Sequence, residues 1–167
     1  MRGISGRSRF ISSTHGQSLV EFALALPILV FGLIGGADLA RAFAIQLAVQ
    51  NGARAGAEAA AVNRTPTGDL TAQKAFQEIS RTPYLQASNA TISVRFKQPD
   101  GVTDCAAPTV AAPCYATVRV QYTFQTLIPW PLIPNTASFD RTTTMRTIVA
   151  QIGASTCTRT PGSGTCS

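Results

Sequence analysis

The sequence predicts an α+β protein: a long N-terminal helix that is apolar in its first half, a short second helix, and a small antiparallel sheet. Three observations predict it. An uncharged stretch runs from Phe22 to Ala37. Helix-compatible sequence continues beyond it to Val62, where the NRTPTG segment breaks it. From Ala90 onward the hydrophobic period falls from about 3.6 to about two. Charged residues make up 13% of the 167-residue chain, about half of the ~25% usual in a soluble domain. With the apolar residues gathered early, that composition is of a membrane-attached chain.

Residues 1–16 are basic and Ser/Gly-rich without hydrophobic periodicity, and read as a cytoplasmic leader. Arg2, Arg7 and Arg9 precede the apolar run, which places the N-terminus in the cytoplasm by the positive-inside rule. The formal charge of +6 is otherwise scattered. No basic cluster interleaved with aromatics follows, so a nucleic-acid partner is not expected.

Residues 17–62 read as one helix, transmembrane in its first half. Leu19 and Val20 extend the apolar run backwards past Glu21, to near the shortest length that spans a bilayer. Asp38 and Arg41 mark the outer interface. Beyond them Leu39, Phe43, Leu47 and Gln50, three or four apart, predict an amphipathic continuation. Pro27 is expected to kink the helix. Asn63–Gly68 is a break, with Pro66 and Gly68 as stop signals. A second helix starts near Asp69 or Thr71, with Leu70, Ala72, Ala75, Phe76 and Ile79 on one face, and ends before Pro83. Strands follow at Ala90–Phe96 and Ala116–Phe124, with a weaker third at Ser138–Ala150. The tail from Gly153 reads as loose. Residues 63–167 thus form an extracytoplasmic α+β domain.

Cys105, Cys114, Cys157 and Cys166 all lie beyond the apolar run. Outside the membrane they can form disulfides. Four cysteines allow three pairings, and the local one, Cys105–Cys114 with Cys157–Cys166, is expected. Zinc is the rival, but the spacing is not that of a knuckle, and His15 falls on the other side of the membrane. No metal or other cofactor is expected.

The most informative stretch is Gly16-Gln17-Ser18-Leu19-Val20-Glu21-Phe22. A carboxylate inside an otherwise apolar segment is unfavourable by roughly 2.5–3.5 kcal/mol on insertion scales. It calls for a partner. Here the sequence resembles a type IV prepilin, in which a basic leader ends in Gly, a dedicated prepilin peptidase cuts after it, and Glu is the fifth mature residue. Gly16, Gln17 and Glu21 match those positions. Cleavage there retains the apolar helix and frees an amino group on Gln17, one turn from Glu21. The cation could pair with Glu21 of the same chain or of a neighbouring subunit.

A closer resemblance runs through Gly16, Glu21-Phe22, Pro27, Asp38 with Arg41, and Gln50-Asn51-Gly52-Ala53-Arg54-Ala55-Gly56-Ala57. Over residues 16–61 the chain resembles the TadE-like pseudopilins and minor pilins of the tight-adherence (Tad) pilus. The resemblance implies a structural role in pilus assembly and adhesion, with prepilin peptidase and other pilin subunits as partners. It places the protein in the cytoplasmic membrane and in a surface pilus.

Gly32, Gly36, Ala40, Ala44, Ala48, Gly52, Gly56 and Ala60 recur every four residues. Such a small-residue ridge lets helices approach closely, and Gly32, Gly36, Gly52 and Gly56, with Glu21, are the expected assembly contacts. The alternative is simple Gly/Ala richness. Ile128-Pro129-Trp130-Pro131-Leu132-Ile133-Pro134 cannot be a central strand. The expected role is packing back over the sheet; the alternative is a contact loop or a membrane-surface segment. Asp100 and Asp104 read as turn caps, and Arg54 with Glu58 as a surface helix pair.

No catalytic residue and no small-molecule substrate are expected. Two other readings compete: a secreted binding protein whose apolar segment is a signal peptide cut near Ala40 or Ala42, and a single-pass anchored domain with no filament role.

Overall fold

The computed structural model describes residues 16–105, 108–109, 111–129, 131, 133–148 and 156–159. The chain divides into two units between Ala37 and Asp38. Helix α1 spans Gln17–Val62 and runs through Pro27, a position that leaves the Ala23 carbonyl without its usual donor. Its residues up to Ala37 belong to the first unit. There the large side chains, among them Leu24, Ile28 and Leu33, are exposed, and the helix is long and apolar enough to cross a membrane.

The second unit is the α+β domain. Asn63 closes the last turn of α1 on the Ala59 carbonyl and turns its side chain back to the Thr65 amide. Helix α2 (Gly68–Ile79) starts at Thr67, whose extended backbone and hydroxyl cap the Leu70 amide at 3.2 Å. Strands β1 (Ala90–Lys97), β2 (Tyr115–Gln125), β3 (Thr136–Arg146) and β4 (Thr156–Arg159) form one sheet of order β3-β2-β1-β4. Every described pairing is antiparallel.

Register follows the alternation of side chains. Ile92 pairs with Val120, Val94 with Val118 and Phe96 with Ala116, and all six are buried on one face. A slip of one residue would turn the whole set to solvent. The opposite face carries polar pairs: Thr117 with Thr144, and Arg119 with Asp140. Two expectations need correcting here. The third strand ends at Arg146, short of the expected bound; past it the Thr147 amide and hydroxyl both donate to the Cys114 carbonyl. The tail contributes a strand, β4, where none was expected. Val94 faces Cys157 across that pairing.

Cys105 and Cys114 form a disulfide with Cα atoms 5.8 Å apart, as the local pairing requires. Both are buried. Cys157 is disulfide-bonded and buried on β4, while Cys166 lies outside the described residues. Asp100 caps its turn as expected, accepting from the Val102 and Thr103 amides. Asp104 instead pairs with Lys97 at 2.7 Å. Arg54 and Glu58 are exposed, and no ion pair joins them.

The face of α1 that meets the domain is not the one expected. Leu39, Phe43 and Leu47 are exposed, whereas Ile45, Ala48, Val49, Gly52, Ala53, Gly56, Ala57 and Ala60 are buried. These also recur at intervals of three and four, so the period was right and the phase was not. Small side chains win because they let α1 lie close to α2 and the sheet. A Cβ added at Gly52 would fall far inside contact with Ile79 Cγ2 and 3.2 Å from the Ala75 carbonyl oxygen. One added at Gly56 would meet Ala75 Cβ at 3.0 Å and Val118 Cγ1 at 3.1 Å.

Candidate functional site

The residues that carry the chemistry lie along α1. Gly16 sits in a turn at its start, and its carbonyl accepts from the Val20 amide at 3.2 Å. The Gly16–Gln17 peptide is therefore the first of the helix. Gln17, Glu21 and Phe22 follow on the helix and are all exposed. Gln17 Nε2 reaches Glu21 Oε1 at 3.5 Å, the outer limit for a hydrogen bond. Residues 1–15, including the three leader arginines and His15, lie outside the described residues.

The four glycines of the ridge part company. Gly32 and Gly36 are exposed, and a Cβ at either would meet nothing within 4 Å. Gly52 and Gly56, expected to face neighbouring subunits, instead face α2 and β2 of their own chain. Their small size serves the domain's internal packing, so only the first pair remains open to a contact from outside.

At Asp38 the helix meets a second feature. The carboxylate is 5% exposed. It accepts from Arg41 Nη1 at 3.0 Å, and its two oxygens lie 3.1 and 3.2 Å from the Leu127 amide. The Arg41 guanidinium in turn lies over the Phe124 ring, 5.5 Å from its centroid. Leu127 follows β2 by two residues. It opens a loop that Thr126 and Asn135 close with a 3.0 Å backbone hydrogen bond. One buried carboxylate thus ties the start of the β2–β3 loop to the helix. Sequence reasoning placed Asp38 at an interface and missed this partner, 89 positions away. The only available signal was a carboxylate set among apolar residues.

The loop itself departs from expectation. Leu127, Ile128 and Ile133 are 61%, 40% and 62% exposed, so these described side chains do not pack back over the sheet; Trp130 and Leu132 lie outside the described residues. Beside Arg41 lies a polar cleft of about 180 Å³ bordered by Tyr84, Gln86, Asn89 and Tyr122. It is small against the ~300–1,000 Å³ of typical ligand pockets. Among the described residues no group of three or more His, Cys, Asp or Glu is placed to hold a metal ion.

No curated protein and no solved structure matches the chain. The family model described as TadE-like protein matches residues 16–58, from the turn that opens α1 to two residues past Gly56. Over that segment, about a quarter of its length, the chain is similar to the TadE-like proteins.

Proposed function

We propose that the protein is a pseudopilin or minor pilin of the Tad pilus, a structural subunit without catalytic activity. It is made as a precursor, cut by a prepilin peptidase after Gly16, and held in the cytoplasmic membrane by the first half of α1. Its N-terminus lies in the cytoplasm and the α+β domain outside. The observation that carries this reading is the TadE-like match beginning at Gly16, the residue from which α1 starts. Glu21 lies one turn further on, at the margin of the run that ends at Ala37.

The physical logic supports it. Cutting after Gly16 removes Arg2, Arg7 and Arg9 and leaves an ammonium group on Gln17. That cation is an intramembrane partner for Glu21 of the same chain or of a neighbour, where either charge alone would be unfavourable. The exposed helix face with Gly32 and Gly36 allows close approach of another subunit's helix.

The N-terminal sequence of the mature protein tests this. A chain starting at Gln17 is expected. A start beyond Ala40 makes the apolar run a discarded signal peptide, and an intact Met1 makes it a plain anchor; either result overturns the reading.

A further inference from the structure

We propose that the polar face of the sheet carries a binding site for an acidic saccharide, at the end of the ladder where β2 begins. The site lies wholly within the second unit and does not depend on how the first half of α1 is anchored. A cleft of about 260 Å³ opens there, lined among others by Lys97, Gln98, Pro99, Tyr115, Thr117 and Thr144. It is close in size to the smallest ligand pockets, which begin near ~300 Å³, and has room for a sugar ring rather than for a large cofactor. Its wall is braced. Gly101 turns the chain with φ 72°, and the turn is closed by the Gln98 amide on the Thr103 carbonyl and the Gly101 amide on the Gln98 carbonyl, both at 2.9 Å. Lys97 Nζ is held by Asp104 at 2.7 Å and by the Val102 carbonyl at 2.6 Å. The Cys105–Cys114 bridge joins the end of this turn to the residue before Tyr115. A site built in advance loses little of its interaction energy to ordering when a ligand arrives.

The lining suits a polyhydroxylated ring that bears a negative charge. Tyr115 offers an apolar ring with a polar end, which fits the C–H face of a sugar. The Thr117 and Thr144 hydroxyls, 3.0 Å apart, each keep further donor or acceptor capacity for sugar hydroxyls. Charge comes from the flanks. In the ladder Arg95 lies opposite Thr117, and Arg146 lies opposite Tyr115. Strand spacing puts the two Cα atoms roughly 12 Å apart, so both guanidinium groups can reach one anionic group held between them. Both arginines are exposed, and among the described residues neither has an acidic partner. The nearby carboxylates are engaged: Asp104 with Lys97, and Asp100 with the Val102 and Thr103 amides. Arginine recognises a carboxylate through paired, charge-assisted hydrogen bonds, which makes a uronic acid the fitting ligand. A nucleic acid would call for cations repeated along its backbone, whereas Ser93, Thr123, Ser138 and Thr142 occupy the rest of this face.

The test uses the full-length protein in detergent micelles and fluorescence polarisation of end-labelled oligogalacturonate and oligomannuronate. Their methyl esters, which keep the rings and lose the charge, are measured beside them, as is a single-stranded oligothymidylate of equal charge. At least one of the two acids should bind, and its ester at least tenfold more weakly. Arg95→Gln and Arg146→Gln should each weaken binding about tenfold, the effect of losing one charge-assisted hydrogen bond. Arg119→Gln is the control, because Arg119 lies on the same face but is already bound to Asp140; it should leave the affinity unchanged. Near-UV circular dichroism checks that the three variants keep their fold. Absence of binding to both acids at millimolar concentration overturns the proposal, as does equal binding of acid and ester by the wild type. An equal loss in Arg119→Gln would reduce the effect to the general charge of the face, and tighter binding of the oligothymidylate would make the ligand a nucleic acid; either result overturns it as well.

Discussion

Replacing Gly52 by alanine tests the packing of α1 most sharply, because two effects of opposite sign compete. In a helix interior alanine is favoured over glycine by about 0.8–1 kcal/mol. At Gly52 the added methyl meets Ile79, which is completely buried, and the Ala75 carbonyl oxygen at 3.2 Å. Neither can move freely: Ile79 is β-branched and enclosed, and the carbonyl belongs to α2. Overpacking of this kind costs about 1–3 kcal/mol. The net expectation is a loss of about 1 kcal/mol, and a Tm lower by roughly 4 °C for a domain of this size.

The same change at Gly36 meets nothing within 4 Å and should leave the domain's Tm unchanged. A double-mutant cycle isolates the contact. Ile79→Ala alone should cost about 2–5 kcal/mol, yet it removes the atom with which the new methyl collides. In that background Gly52→Ala should become neutral or stabilising, a coupling of about 1–2 kcal/mol, within the range for residues in contact. Thermal and denaturant unfolding followed by near-UV circular dichroism measure all four proteins. A Gly52→Ala protein more stable than wild type, with no coupling to Ile79, would refute the close approach of α1 and α2. Loss of assembly in a Gly52→Leu protein would accordingly reflect a damaged domain, and Gly32→Leu or Gly36→Leu is the cleaner probe of subunit contacts.

Other consequences are as direct. Asp38→Ala removes charge-assisted hydrogen bonds to Leu127 and Arg41 and should cost about 2–3 kcal/mol, with Asp38→Asn costing less; an unchanged denaturation midpoint would count against the clamp. Opening the Cys105–Cys114 bridge by Cys105→Ala and Cys114→Ala should lower stability by about 2.5 kcal/mol, from the chain entropy of so short a loop, read as a drop in Tm; reductant, which also opens the bridge of Cys157, should lower the wild-type Tm at least as far. The Arg119 guanidinium beside Asp140 holds its carboxyl below the ordinary carboxylate value. A depressed folded-state pKa stabilises the protein above the unfolded value, near 3.9, and that contribution is lost as pH falls below it. Asp140→Asn should therefore remove that contribution near neutrality, lowering stability slightly there, and converge with the wild type in strong acid, which flattens the acid side of the profile. The effect is small because the pair is solvent-exposed.

Much of the fold was legible because it rests on local pattern. The alternation in Ala90–Phe96 and Ala116–Phe124 places Ile92, Val94, Val118 and Val120 on one buried face, and the break at Asn63–Gly68 ends α1 where Pro66 and Gly68 require. The phase of α1 beyond Asp38 was not legible. Hydrophobicity alone favours burying Leu39, Phe43 and Leu47, but close approach selects Gly52 and Gly56. A sequence shows size and polarity without showing how near the next element will come. β4 was missed because four residues, Thr156–Arg159, are too few to display a period, and their strand character comes from pairing with β1. The Asp38–Leu127 clamp joins distant segments through a backbone amide, a group that every residue but proline carries and that no pattern can mark.

Two carboxylates bracket the uncharged run, and the fold treats them differently. Asp38 is buried and satisfied by Arg41 and the Leu127 amide. Glu21 is exposed, and its contact is the Gln17 amide at 3.5 Å. In water such a carboxylate needs no more. Inside a hydrocarbon layer a carboxylate is unfavourable, by roughly 2.5–3.5 kcal/mol at the centre of a helix and less towards the margin, and a long bond from a neutral amide offsets little of that. On the proposed function the offset comes from the Gln17 ammonium group exposed by cleavage, in the same chain or a neighbouring one. Charge, rather than shape or hydrogen-bonding capacity, is then what Glu21 contributes. Glu21→Gln keeps the size and the hydrogen-bonding ends of the side chain while deleting the charge. It should be cut after Gly16 and inserted as the wild type is, yet be recovered in the membrane fraction instead of in sheared pili. Sheared pili containing the variant at wild-type abundance would leave Glu21 with no electrostatic part in assembly.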